Sequence, residues 1–379
     1  MSEIYLDHNA STPIDPRVAD VVRRLLDGPY ANPSALHPGG REALAIIERA
    51  RGQVAALLGA APDEVVFTSG GSEANNAALL GAWFARPHGT DHLVTTAVEH
   101  PAILEPARFL ERLGARVTLV PVDGTARVDP DDVRRAITSR TFLVSVMHAN
   151  NEVGTVEPIA EIAAATREAG VMLHTDAAQS VGKIPTRVED LGVDLFSIAG
   201  HKLYAPKGIG ALYIRRGTRL EPFVHGAGHE SGRRAGTESA LLDAALGEAC
   251  ALAADLEPMQ GVRALRDRLW EGLRSLAGDG VVLNGHPTAR LPNTLNVSLV
   301  GRRGADVLAA LGDVAASTGS ACHADSVELS PVLRAMGIES RVGMGAIRLS
   351  LGRGTTADEI ERVLGKFAAV LGSHAATTG

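Results

Sequence analysis

Three stretches of this chain place polar residues where folded chains seldom put them without a use. In Thr68-Ser69-Gly70-Gly71-Ser72-Glu73-Ala74-Asn75, a β-rich run gives way to two glycines and a hydroxyl before a helical pattern begins. Glycines let the backbone approach an oxyanion closely, and a helix start offers unpaired N–H groups to a phosphate. No Lys follows the second glycine, so this is not a P-loop, and a tight turn capped by Ser72 would read the same way. In His174-Thr175-Asp176-Ala177-Ala178-Gln179 a carboxylate ends an apolar strand, as a helix cap or as a charge held for a ligand. In Ser197-Ile198-Ala199-Gly200-His201-Lys202 a Lys follows the end of another buried strand. A Lys there is costly unless paired or used covalently, and desolvation lowers its pKa toward nucleophilic use. Each feature alone is more often structural. Together, phosphate cup, strand-end carboxylate and strand-end amine suit pyridoxal phosphate, which needs an anion site, a pyridinium partner and a Schiff-base amine.

The chain has two cysteines, in different settings. Cys250 sits in the helical run Leu246-Gly247-Glu248-Ala249-Cys250-Ala251-Leu252 and reads as a small buried hydrophobe. Cys322 follows Ser317-Thr318-Gly319-Ser320-Ala321 and precedes His323, a small-residue segment that suits a moving nucleophile better than a packed thiol. His8, His37, His92 and His148 read as packing or surface histidines, and no His–carboxylate spacing matches a zinc site, so no metal is expected.

These residues need a frame. Strand-like runs at 65–68, 92–96, 117–120, 142–146, 171–175, 194–198 and 210–214 alternate with helical patterns at 42–58, 73–84, 101–113, 131–137 and 159–169. Continuously apolar strands separated by helices predict an α/β architecture with a mostly parallel sheet covered on both faces, and function at the strands' carboxyl ends. After Leu241 the texture changes. A helical pattern runs through Leu256 and past Pro258 to Leu276, then come a strand at 295–299, a helix at 305–311, a loop at 315–321, a strand at 346–351 and a closing helix from Thr356, a plausible cap. This predicts a smaller α+β domain from about residue 255, with a frayed polar tail at 372–379.

With 379 residues, 37 Lys and Arg against 44 Asp and Glu, and 45% hydrophobic residues, the chain suits a globular protein of two domains or so. The net charge of −7 argues against a nucleic-acid partner. No apolar run approaches the roughly 20 residues of a membrane span, no signal peptide is visible, and the two cysteines suit a cytoplasmic thiol protein.

Beyond these readings, the sequence resembles the cysteine desulfurases of the class V aminotransferase group, fold type I pyridoxal-phosphate enzymes. The resemblance runs from Tyr5-Leu6-Asp7-His8-Asn9-Ala10-Ser11-Thr12-Pro13 to Arg348, through Ala31-Asn32-Pro33-Ser34, the Ser69–Asn76 cup, Val98-Glu99-His100, Ala149-Asn150-Asn151-Glu152-Val153-Gly154, Arg234-Ala235-Gly236-Thr237 and Gly319-Ser320-Ala321-Cys322. It implies a large domain at 15–254 with a mostly parallel seven-stranded sheet, and a small α+β domain at 1–14 and 255–379. It implies that Lys202 carries the cofactor and moves protons, that Asp176 keeps the pyridine nitrogen protonated, that Gln179 bonds the phenolic oxygen and that His100 stacks on the ring. Gly71, Ser72 and His201 would cradle the phosphate, with Thr237 arriving from a partner subunit of a homodimer. Asn151 would lie beside the cofactor, Asn32 and Arg348 would hold the substrate carboxylate, and Cys322 would take the sulfur of L-cysteine as a persulfide for an acceptor such as an iron–sulfur scaffold or sulfur carrier. Ala199 departs from the family, which commonly has a phosphate-binding Ser there. Selenocysteine lyases, with a similar Ala-Cys-His like Ala321-Cys322-His323, are the alternative within the resemblance. A non-enzymatic iron–sulfur assembly partner binding iron through Cys322 and His323 would leave Lys202 and Asp176 without roles.

Overall fold

The alternation of strands and helices builds one sheet, and the glycines between them turn the chain at its edges. A computed structural model describes residues 3–318, 320–323 and 326–372, with the backbone alone at 320–323 and 326–327. In chain order, β1 (Ile4–Tyr5), α1 (Pro16–Leu26) and α2 (Pro38–Leu58) come first. Then follow β2 (Val65–Thr68), α3 (Gly71–Ala85), β3 (His92–Thr96), α4 (Pro101–Arg112), β4 (Arg116–Val120), α5 (Pro130–Ala136), β5 (Thr141–Ser145), α6 (Ile159–Ala169), β6 (Met172–Asp176), α7 (Val188–Leu191), β7 (Leu195–Ala199) and β8 (Gly210–Ile214).

The seven-stranded sheet has the order β2-β8-β7-β6-β5-β3-β4. Only β8 runs against its neighbours. Every residue of β3, β5, β7 and β8 is buried, as helices on both faces require. On one face Ile47 and Val54 of α2 pack with Val144, Phe196 and Cys250, while on the other Leu79 and Trp83 of α3 pack with Phe142 and Leu110. Because β8 reverses twice, β2 is parallel to β7, and the carboxyl ends of β2, β3, β5, β6 and β7 share one edge.

Next comes α8 (Ala240–Ala253), which packs on α2 in the core of the large sheet. The second group is α9 (Pro258–Ala277), β9 (Val281–Asn284), β10 (Thr294–Leu299), α10 (Gly304–Leu311), β11 (Val314–Ala315), β12 (Ser317–Thr318), β13 (Ser320–His323), β14 (Ser326–Leu329), α11 (Pro331–Ala335), α12 (Ser340–Gly343), β15 (Ala346–Ser350) and α13 (Ala357–Gly372). An antiparallel sheet, β12-β15-β10-β9, packs Val297 and Ile347 on Leu269, Leu273 and Phe367. Ile4 and Leu6 join that core, and β1 pairs with β11. The chain then returns to the large sheet, where Thr12 N–H donates to His201 O (2.9 Å).

Two local expectations differ from the structure. The helical pattern from Leu241 ends at Ala253, because Pro258 lacks an N–H and opens a new helix at its first turn. The expected loop at 315–321 contains short strands, Ser317–Thr318 pairing with β15 and Ser320–His323 with β14. Thr356 does cap α13, taking Glu359 N–H at 3.2 Å while Glu359 reaches back to Thr356 N–H. Among the described residues no helix is long and apolar enough to cross a membrane.

Candidate active site

At the shared edge lies a cavity of about 520 Å³. Its floor is the start of α3. Gly70 precedes the helix at φ 151°, with no side-chain cap, so the first-turn N–H groups of Gly71 and Ser72 open into the cavity. Ser72 therefore does not act as the cap that a purely structural turn would use. A Cβ on Gly71 would stand 3.0 Å from the Ala199 methyl, and one on Gly210 would meet Gly70 at 2.7 Å, so the cup exists only because the chain is bare there. Such a cup fits an oxyanion.

Asp176 ends β6 on the same cavity, nearly buried, and its carboxylate accepts Asn75 Nδ2 at 2.6 Å and Ala178 N–H at 2.9 Å. Lys202 closes the turn after β7. Its amine donates to the carbonyls of Asn9 and Ala10, the latter at 3.0 Å. Burial, then the positive Arg348, lowers the Lys202 pKa to about 8, opposed by Asp176 and Asp7. His100 caps α4, taking Ala102 N–H on Nδ1 at 3.1 Å, and lines the cavity. Burial holds it below the ordinary imidazole pKa, against the pull of Asp176 and with the help of Lys202. The His201 pKa is pushed down to about 4, first by burial and then by Lys202, and its ring meets Ser11 Oγ at 3.3 Å. An anion cup, a carboxylate and a desolvated amine thus face one cavity, with residues of a type and placement that fit pyridoxal phosphate.

Gln179 and Asn151 line the same cavity. Arg348 lies just behind it on β15, where Nη2 donates to Asp7 Oδ1 (2.7 Å) and Ser317 Oγ (2.9 Å), and Nη1 to Asn151 O (3.1 Å). Its buried Nε has no partner among the described residues. Asn32 and Thr237 stand apart, exposed in loops that do not line the cavity. Thr237 belongs to a strap at 225–238 held by a buried clamp: Arg51 makes two bonds to Glu230 (2.7 and 2.9 Å), and Glu230 also takes Phe67 N–H at 2.9 Å. The backbone of Cys322 pairs with Val327, and its side chain lies outside the described residues.

The remaining histidines and Cys250 pack as expected. His92 sits between Thr118 and Thr141, His148 bonds Ser180, and His37 caps α2. His8 is buried against the rings of Tyr5 and Tyr204, and burial pushes the Cys250 thiol up to about 12. Sequence reasoning assigned no role to Asn75, Asn9, Asp7 or Lys183. The helical spacing of Asn75 from Gly71, one turn, was the available signal for the first; the others reach the site only through the tertiary fold.

The sequence matches the family described as Aminotransferase class-V over residues 4–363. It is 44% identical over 367 residues to the cysteine desulfurase IscS of Dictyoglomus turgidum, covering 96% of this chain and 93% of that one. It is 46% identical to cysteine desulfurase 2 of Trichormus variabilis over a similar span, 96% and 92%. Among solved structures, a NifS-like protein superposes with a TM-score of 0.92 at 35% identity, covering 98% and 99% of the two chains. A structure titled SspA in complex with cysteine superposes at 0.84, also 35% identical, covering 93% and 100%.

Proposed function

The chain belongs to the class V aminotransferase family, among its cysteine desulfurases, and on that premise we propose that its cavity takes pyridoxal phosphate and L-cysteine and delivers sulfur to Cys322. The carrying observation is the Lys202 amine, partly desolvated and bonded to backbone carbonyls, sharing one cavity with the Asp176 carboxylate and the uncapped start of α3. When bound, the cofactor supplies an electron sink for the substrate's α-carbon.

The protein's own groups do the rest. Gly71, Ser72 and His201 hold the phosphate, and Asp176, steadied by Asn75 and Ala178, keeps a proton on the pyridine nitrogen. Gln179 and Asn151 hold the ring's polar edge, and His100, neutral at ordinary pH, stacks on it and passes protons. Lys202, its pKa near 8, takes the α-proton without needing a strong external base. Arg348 holds the substrate carboxylate, and Asn32, exposed outside the cavity in this structure, would join it by a movement of its loop. The Cys322 thiolate attacks the substrate sulfur, the carbon–sulfur bond breaks, and carbon takes up the protons that make L-alanine while Cys322 keeps the extra sulfur as a persulfide. An iron–sulfur scaffold or a sulfur carrier then accepts it. The same proposal includes a cytoplasmic homodimer in which Thr237 completes the partner's phosphate site, and domains at 15–254 and at 1–14 with 255–379. The separate cores and the return of Ile4 and Leu6 to the second one support that division.

The experiment is alanine release from L-cysteine and from L-selenocysteine, with and without Cys322, alongside visible absorbance. Wild type releases alanine from cysteine and carries the coloured cofactor linkage; Lys202→Ala loses both. Cys322→Ala keeps the colour and loses cysteine turnover. Release from selenocysteine alone would replace the desulfurase reading with the lyase, and a colourless, inactive wild type would refute the cofactor assignment.

A further inference from the structure

One buried cation at the site has no part in the chemistry above. Lys183 is almost wholly buried, yet no carboxylate among the described residues forms an ion pair with it. Its amine donates instead to two side-chain amides, Gln179 Oε1 at 3.0 Å and Asn9 Oδ1 at 3.3 Å. A lysine kept only for stability would gain more from a carboxylate or from apolar replacement, since an unpaired buried charge is expensive.

One of these amides faces the cavity, and the other belongs to the residue whose backbone meets Lys202. Gln179 lines the cavity, and its Nε2 donates to the backbone carbonyl of Asn9 at 3.0 Å. That carbonyl also accepts from Lys202. The Asn9 side chain takes Lys183 and Asn293 Nδ2 (3.0 Å) on its oxygen, and gives its nitrogen to Thr294 Oγ1 (2.8 Å) and Asn151 O (3.1 Å). An amide's two ends are alike in shape and opposite in hydrogen bonding, so packing alone does not decide which end faces which way. For Gln179 the Lys183 amine and the Asn9 carbonyl decide it from opposite ends, because an ammonium group only donates and a carbonyl only accepts. Were Gln179 turned over, its NH₂ would face the Lys183 ammonium, donor against donor.

We propose that Lys183 is a positioning residue of this active site, fixing which end of Gln179 turns toward the cofactor and, through the Asn9 side chain, helping to anchor the residue whose backbone carbonyl receives Lys202. It rests on the cofactor reading above and goes beyond it by giving a role to a residue that touches neither substrate nor cofactor. The surroundings of Lys183 are strongly positive. Burial lowers the Lys183 pKa to about 7, with Lys202 and then Arg348 adding to it. His8, on the N-terminal segment, is lowered to about 4 by burial and next by Lys183. Around Lys202 the charged and titratable groups are Lys183, Arg348, Asp176, Asp7, His100 and His201.

The test is a pH titration of the visible band of the holoenzyme, with kcat and KM for cysteine. Lys183→Met removes the donor that holds Gln179, so Gln179 no longer presents its N–H to the ring's phenolic oxygen, and the loss of that bond favours proton retention at the neighbouring Lys202 linkage. Its midpoint should rise by up to about one pH unit, the scale of one hydrogen bond lost to the anionic form of the cofactor's oxygen, with kcat falling at least several-fold and KM little changed. Lys183→Arg, which keeps donors and charge, should stay close to the wild-type midpoint. In a Gln179→Leu background, adding Lys183→Met should produce a much smaller further shift, because the orienting bond to Gln179 is already gone. A Lys183→Met enzyme with the wild-type midpoint and only a lower Tm would make Lys183 merely structural and overturn the proposal. So would a Lys183→Arg enzyme shifted upward as far as the Met variant is expected to go, which keeps the test decisive if the Met variant does not fold. Wild type that takes up no coloured cofactor refutes the cofactor reading itself, a result distinguishable from both.

Discussion

Removing the Glu230 carboxylate should loosen the strap that carries Thr237 before it unfolds the protein. Arg51 and Glu230 are both nearly buried, with side chains 9% and 1% exposed, so water cannot take over when one partner is lost. In Glu230→Ala the guanidinium keeps Val65 O at 3.0 Å and the half-exposed Glu48 at 3.0 Å, and Phe67 N–H loses its acceptor. Breaking a buried pair from one side costs about 3–5 kcal/mol, a large part of the roughly 5–15 kcal/mol that holds a domain together. The strap is further strained, because Glu230 and Ser231 sit at φ 51° and 57°, a region that costs a non-glycine residue about 1–2 kcal/mol. Arg233 and Arg234 still tie it down, to Asp63 O (2.8 Å) and Glu73 (2.8 Å), so the loss should be local. Hydrogen exchange in 225–238 should speed up by at least a hundredfold, the equivalent of about 2.7 kcal/mol, while β5 to β7 change less. Arg51→Met combined with Glu230→Met should recover most of the protection, since the replacement leaves no charge behind. Unchanged exchange in Glu230→Ala, or a double variant no better protected than the single one, would refute the clamp.

Three further outcomes are expected. Asn75→Ala removes the 2.6 Å bond to Asp176; a charge-assisted bond of this kind is worth about 1.5–3 kcal/mol, so kcat should fall about ten- to a hundredfold while the cofactor stays bound, and an unchanged kcat would show that Asn75 does not steady the carboxylate. Glu157 is buried with its pKa raised to about 8 by burial first, so the native state keeps a proton that the unfolded chain releases above the ordinary carboxylate pKa. Stability therefore falls as pH rises between those two values, and Glu157→Gln should flatten urea-midpoint stability against pH by up to about 1.4 kcal/mol per pH unit; an unchanged slope would place the titration elsewhere. Asp7→Asn weakens the hold on Arg348 Nη2 and should raise KM for cysteine several-fold with the cofactor still bound, whereas an unchanged KM would detach Asp7 from the substrate carboxylate.

Most of the large sheet was legible because its strands are continuously apolar and its helices Ala-rich, patterns that burial on two faces imposes. The expected run Val65–Thr68 is β2 to the residue, and Ile159–Ala169 is α6. The edge strand β4 also includes Arg116, since an edge tolerates a charge that a central strand does not. The short strands β1 and β9 were not legible, because two to four residues carry too little periodicity and their pairing depends on chain more than two hundred residues away or on a local turn. In the site, Lys202, Asp176 and the α3 cup stood out because their polar types interrupt apolar runs. Lys183 and Asn9 did not. Their meaning lies in a hydrogen bond across 174 positions, and the Arg51–Glu230 clamp spans 179. Nothing local in the chain marks a residue whose partner is that distant.

The early segment at 4–12 has a consequence for how the protein comes into being on the ribosome. Asn9, which receives Lys202 and Gln179, is itself held by Asn293, Thr294 and Ser350, and Leu6 lies in a core shared with β10 and β15. The seven-stranded sheet is complete in sequence by Ile214 and can collapse while synthesis continues, as earlier-made units generally do. Its cavity would then lack the wall that the segment at 4–12 supplies, because that segment's own anchors are made last. A nascent chain thus carries the lysine and the carboxylate for well over a hundred codons before either is correctly framed, and fragments that stop short of β15 should hold the cofactor poorly. On the function proposed above, the amine and the carboxylate would meet their cofactor in a finished cavity only after the segment that bears Cys322 has been made.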